Sequence, residues 1–304
     1  MRLRRKQTRS IFTVELAKRL FDGSVGKQAL DTIVREGFAT KDYFVDGCWV
    51  SSIQDGIRGS RYKVNDTLSL IQDAANLWRY IKKDSIQKPV GGVRIPEQLL
   101  RVKFQGERLV LFSPWGPRYN QESPLIEKSD PEVRTFGEIQ RTLATISGFG
   151  YDISFILMPA DMYGIEINNF SPLFVNEYFK RVEELAFREL SSAASVDIKR
   201  WSRIREDNTK RYSQLREEID ETLFDQIKKS KFRNAVKVAR VFNPTRAEES
   251  ARRYCIERLV EGILIEELYS PIKLSIVRKE KDTLDGPLKR VYLMSNKAPW
   301  LGGK

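Results

Sequence analysis

The chain has 304 residues, 41% hydrophobic and 31% charged, a balance that suits a globular protein with a sizeable core. It contains no histidine and only two cysteines, Cys48 and Cys255. This excludes Ser-His-Asp and Cys-His nucleophile activation and histidine-based metal sites, and it argues against a disulfide framework. The net charge of +12 favours anionic partners such as nucleic acid or phosphorylated metabolites. No run approaches the roughly 18 apolar residues of a membrane span, and the basic start "MRLRRKQTRS" lacks the apolar core of a secretion signal, so no membrane contact and a cytoplasmic location are expected.

In chain order, "TVELAKRLFD" predicts a helix with Thr13 as N-cap, and "GKQALDTIVREGF" a second one ending at Gly37. "YFVDGCWV" places two β-prone runs around Asp46-Gly47, a hairpin signal. Helix, helix and hairpin outline a small winged-helix-like region. Its second helix carries only Lys27 and Arg35 as cations, which favours simple packing over nucleic-acid binding. "TLSLIQDAANLWRYIKK" predicts an amphipathic helix, and "KPVGGVRIP" the linker that closes a first domain, residues 1–90.

From residue 91 to 304 the pattern becomes an alternation of strands and helices. "RLVLFS", "DISFILMP" and "VDIKRWS" read as strands separated by the helices "EVRTFGEIQRTLATISGF" and "NEYFKRVEELAFREL". This order predicts an α/β, Rossmann-like, mostly parallel sheet flanked by helices. Three charged helices follow: Asn208 to Lys228, "SKFRNAVKVARVF", and a segment opening with Thr245 and Glu248 in capping-box spacing. "IKLSIV" and "LKRVYLM" predict two more strands.

Ligands of parallel sheets bind beyond the carboxyl ends of the strands. The turn "SPWGPRYN" lies there, its prolines stiffening a loop in which Trp115 and Tyr119 wall a pocket and Arg118 and Asn120 offer donors. The second strand ends in "MPADMYGIEIN", where Asp161 is a candidate general base or amine-orienting group and Tyr163 follows closely. Arg118 and Asp161 are expected to share one hollow, with helical Glu138 a further candidate beside it. The cations Lys228, Lys229, Lys231, Arg233, Lys237 and Arg240 gather on one helical stretch, where a solvated surface competes with phosphate or RNA contact. Arg252, Arg253 and Arg258 alternate with glutamates and read as surface pairs. No Walker-type or G-x-G-x-x-G loop occurs.

Taken in order, "FSPWGPRYN", "DPEVRTFGE", "LMPADMYG", "FVNEYFKRV", "IKLSIV", "LKRVYLM" and "APWLGG" resemble the motifs of the isocyanide (isonitrile) synthase family, which includes dityrosine spore-wall proteins. Asn120, Glu138, Asp161, Tyr178, Lys273, Ser275, Lys289, Pro299 and Trp300 fall on family positions over residues 105–304. The resemblance implies a Rossmann-like fold and an enzyme that condenses an amino acid's amine with a sugar-phosphate ketone, without a cofactor. It also implies catalytic roles for Asp161 and Glu138, and substrate contacts from Trp115, Arg118, Tyr119, Asn120, Tyr163, Lys273, Ser275 and Lys289. Val277 and Leu301 stand where the family has histidines, and Met162 where it has a glycine.

A second similarity, carried by "VDIKRWS", a long charged helix, "KFRNAVKVA" and a late Tyr-Glu helix, is to tRNA-dependent cyclodipeptide synthases. It implies Ser113, after the first strand, as nucleophile and tRNA as partner. A third reading is a nucleic-acid-binding regulator built on the winged-helix-like segment.

Overall fold

The computed structural model describes residues 64–118, 123–275, 284 and 286–293, together with the strands at 44–45 and 48–49. The two strands, β1 (Phe44–Val45) and β2 (Cys48–Trp49), pair antiparallel with Phe44 opposite Trp49, as the hairpin signal predicts. The two helices expected before them lie outside the described residues.

Helix α1 (Val64–Asp84) matches its amphipathic pattern and buries Ile71, Ala75 and Trp78. Helix α2 (Arg94–Gln105) is a correction. The expected linker contributes Arg94, Ile95 and Pro96 to its first turn, where a proline is tolerated because the missing N–H has no helical partner. Ile95, Leu99 and Leu100 become fully buried along one stripe. The helix stops at Gly106, whose left-handed φ of 66° turns its N–H back onto the Val102 carbonyl.

Five strands form the main sheet: β3 (Leu109–Trp115), β4 (Ile153–Pro159), β5 (Ser195–Ile198), β6 (Ile272–Leu274) and β7 (Lys289–Val291). Their order is β5-β4-β3-β6-β7, all parallel. The chain therefore moves outward from β3 through β4 to β5, then returns to the other side of β3. This places the topological switch point between β3 and β6, where Leu111 registers with Ile272 and Phe112 with Lys273. The α/β fold with a parallel sheet is the one the sequence predicts.

Helices α3 (Pro131–Gly148) and α4 (Pro172–Leu190) contact the sheet face that carries Trp115. The opposite face carries Phe112, Ile156, Met158 and Ala160, one core with residues of α5 (Trp201–Asp207), α6 (Thr209–Gln226) and α8 (Ala247–Tyr269). Between the last two lies α7 (Lys229–Phe242). The capping box expected at Thr245 does not form. Pro244–Arg246 makes a 3-10 turn, and α8 starts after Arg246 without a side-chain cap. The chain divides into two compact units, Met1–Leu109 with Thr145–Asp152 and Val110–Ala144 with Ile153–Lys304. Among the described residues no helix is long and apolar enough to cross a membrane.

Candidate functional site

In the second unit, two clusters of side chains grow from the carboxyl ends of β3 and β4, and they include Ser113, Trp115, Arg118, Asp161 and Tyr163. The first grows from the end of β3. Alternation along the strand turns Ser113 and Trp115 to one face and Phe112 to the other. Trp115 is fully buried and stacks on Phe136 of α3 at 4.5 Å, with ring planes 8° apart. Its indole N–H donates to the Tyr178 hydroxyl at 3.0 Å, and that hydroxyl donates to Oε1 of Glu132 at 3.1 Å. Burial and the adjoining Glu132 carboxylate hold the Tyr178 hydroxyl well above the ordinary phenol range, so it stays a donor.

Arg118 completes this cluster. Its guanidinium donates to Glu132 Oε1 at 2.5 Å, to Asp130 at 2.7 Å and to the Leu125 carbonyl at 3.0 Å, and lies over the Tyr178 ring. A loop that leaves β3 through Gly116 and Pro117 thus places a cation over the first turn of α3. Among the described residues three buried polar atoms of β3 and α3 have no hydrogen-bond partner: Glu132 Oε2, Ser113 Oγ and Glu138 Oε2. Glu132 and Ser113 are both fully buried. Unsatisfied buried polar atoms are uncommon, because each costs about 1–3 kcal/mol. The sequence singles out Ser113, Trp115 and Arg118 here but not Glu132. Its signal was the Asp-Pro-Glu opening of the helix. Tyr119 and Asn120 lie outside the described residues.

The second cluster grows from the end of β4 on the opposite sheet face. The Asp161 carboxylate accepts from the Met162 and Ser202 amides, both at 3.0 Å, and from the Ser202 hydroxyl at 2.5 Å. It is buried, and it caps the start of α5 from another segment. A π-helical turn, Tyr163–Ile167, follows, a geometry that recurs at functional sites. The Tyr163 hydroxyl donates to Glu261 Oε2 at 2.8 Å, and Arg258 pairs with the other oxygen of Glu261. One turn away, Glu257 accepts from the Trp201 indole at 3.2 Å and from the Tyr212 hydroxyl. Burial, reinforced by Glu261, raises the Tyr163 hydroxyl well above its ordinary range. The expected surface pairing of the α8 arginines is corrected here. Arg252 does bond to exposed Asp220, but Arg258 bonds to a glutamate with 1% exposure.

The two loops meet. The Ala160 amide bonds to the Trp115 carbonyl at 2.8 Å, and a Cβ on Gly164 would come within 3.2 Å of Pro117. Arg118 and Asp161 are held by separate partners: among the described residues none of the groups bonded to one is bonded to the other. A cleft of about 670 Å³ beyond β5 is lined by Ser202, the Asp161 partner, together with Asp197, Lys199, Arg200, Arg203 and Tyr269.

On the far side of the switch point, Lys273 and Arg290 register side by side on β6 and β7, and both are buried. Pairing with Phe112 turns Lys273 to the face opposite Ser113. Ser275 is buried just beyond, and its amide bonds to the Val291 carbonyl. Lys289 is committed to α8, donating to Glu266 at 2.7 Å and to Ser270 at 3.1 Å. Burial raises the Cys255 thiol to about 11, which leaves it protonated and inert at neutral pH.

No protein-family model and no curated protein matches the chain. Among solved structures it is similar to the PvcA protein from Pseudomonas aeruginosa, at 15% identity and a TM-score of 0.52, covering 75% of this chain and 81% of that one. The architecture of this chain, a parallel sheet between two helical layers, is the fold it shares with PvcA.

Proposed function

We propose that the chain is an isocyanide synthase-like enzyme that acts on the amine of an amino acid, with a phosphorylated sugar as co-substrate. The observation that carries this reading is Glu132 Oε2, a fully buried acceptor in the first turn of α3 that has no hydrogen-bond partner among the described residues, as has Ser113 Oγ on β3. A buried carboxylate oxygen without a donor suits a ligand ammonium, which brings three. Withdrawal of one proton by that carboxylate turns the ammonium into the nucleophile that a ketone carbon needs. Lys273 and Arg290 supply the positive charge that suits a phosphate. They turn to the other sheet face, so a substrate pair reaching both regions lies across the strand ends at the switch point. The fold shared with PvcA and the ordered motifs from "FSPWGPRYN" to "LKRVYLM", which resemble those of the isocyanide synthase family, support the same reading.

The test is to incubate the protein with L-tyrosine or L-tryptophan and ribulose 5-phosphate and to search for the isocyanide by mass spectrometry. Product that is lost in Glu132→Gln supports the reading. No product, together with no calorimetric binding of either compound, overturns it.

A further inference from the structure

Helix α7 reads KSKFRNAVKVARVF, five cations and no carboxylate in 14 residues. Val236 and Ala239 turn inward, forming a small core with Ala247 and Ala251 of α8. Lys229, Arg233, Lys237 and Arg240 are exposed. At about 100° per residue they occupy a stripe roughly 80° wide, and at 1.5 Å per residue they form a line about 16 Å long. Lys228 and Arg246 extend the positive surface at either end.

What separates this stripe from an ordinary charged face is the absence of acidic partners. Exposed arginines on the neighbouring helices are bound to carboxylates: Arg203 to Glu206 and Asp207, Arg211 to Glu267, Arg252 to Asp220. Among the described residues none of the four α7 cations has an ion pair or hydrogen bond through its side chain. Beside the stripe, about 40° from its edge, Val241 is 74% exposed.

We infer that α7 is a docking surface for the sugar-phosphate backbone of a nucleic acid. Successive cations rise by about 4.5–6 Å along the helix, a spacing that lets each meet a separate phosphate of a strand. Arginine's planar fork suits phosphate oxygens in pairs. The overall charge of +12 steers a long polyanion to the surface. Val241 gives apolar contact for a sugar, whereas insertion into a membrane needs the broad apolar face that α7 directs at α8 instead.

The experiment is fluorescence anisotropy of the full chain with a labelled 20-nucleotide RNA single strand and a labelled duplex DNA, titrated with salt. The variant Arg233→Glu/Lys237→Glu/Arg240→Glu is compared with Lys82→Glu/Lys83→Glu/Lys88→Glu, which changes net charge equally on another unit. The α7 variant is expected to lose about tenfold or more in affinity, and its salt slope to fall by about two, at roughly 0.7 per single-strand phosphate. The control is expected to keep the wild-type slope. Should the α7 variant fail to fold, the corresponding triple glutamine variant serves with the same criterion. Equal losses in both variants overturn the inference. So does tighter binding of polyglutamate or anionic vesicles than of either nucleic acid, or no binding at low salt.

Discussion

The Tyr178 hydroxyl stands between two groups without solvent contact, accepting from the Trp115 indole at 3.0 Å and donating to Glu132 at 3.1 Å. It joins the strand that ends in the tryptophan turn to the helix that carries the buried carboxylate. Replacing it by phenylalanine keeps the ring and its stack on Phe174 but removes the hydroxyl's bonds to the indole N–H and to Glu132. Tyr178→Phe is therefore expected to cost about 1–3 kcal/mol in urea denaturation, and any isocyanide formation to fall with it.

Ser113 offers the opposite outcome. Among the described residues its hydroxyl, buried on β3, has no partner, so burial there carries a desolvation cost with no compensating bond. Ser113→Ala is expected to leave stability unchanged or raise it by about 1 kcal/mol, while weakening amino-acid binding. A gain in Tm with a loss of affinity is the signature of a site held ready for a ligand. Calorimetric titration and thermal unfolding of the same variant measure both.

Acid should act on the Arg118 bridge through Asp130. Partial burial pushes this carboxyl up, but the Glu127 amide and the Arg118 guanidinium together pull it below its ordinary value. A group whose folded pKa is depressed adds stability above its unfolded value of about 3.9, and loses it as pH falls through the folded value. The stability difference between wild type and Asp130→Asn is thus expected to be full near neutral pH and to close progressively below about pH 4. Urea denaturation of both proteins across that range checks the sign.

Gly164 tests the contact between the two strand-end loops. A methyl group there would meet Val175 at 3.0 Å and Pro117 at 3.2 Å, and neither the proline ring nor the helix-borne valine yields easily. Gly164→Ala is expected to destabilise by about 1–3 kcal/mol through overpacking, as thermal unfolding would show. The tryptophan turn should loosen with it, raising hydrogen exchange at the Ala160 amide.

Where sequence and structure agree, the reason is periodicity. The continuous apolar runs of "LVLF" and "ISFILM" fit only strands covered on both faces, and they place Ser113, Trp115 and Asp161 at the carboxyl edge. Helix α2 was hidden because Gly91, Gly92 and Pro96 are punctuation in a linear reading, although only the glycines break the chain there. Glu257 and Glu261 were hidden because glutamates among arginines read as a solvated helix face. Their four-residue spacing puts them on the stripe of Val260, Leu264 and Ile265, and only the packing of Trp201, Tyr163 and Tyr212 against that stripe explains their burial. Arg118 and Asp161 were each correctly assigned to a strand end. Which side of the sheet each turns to depends on a tertiary partner, Glu132 for one and Ser202 for the other.

Whether Glu132 receives a ligand's ammonium is tested directly by calorimetric titration with L-tyrosine and with 3-(4-hydroxyphenyl)propionate, which lacks the amine. Wild-type protein is expected to bind tyrosine at least about tenfold more tightly, the value of a charge-assisted hydrogen bond, and Glu132→Gln to erase that preference. Equal affinity for the two compounds in the wild type, or a preference that survives Glu132→Gln, would contradict it.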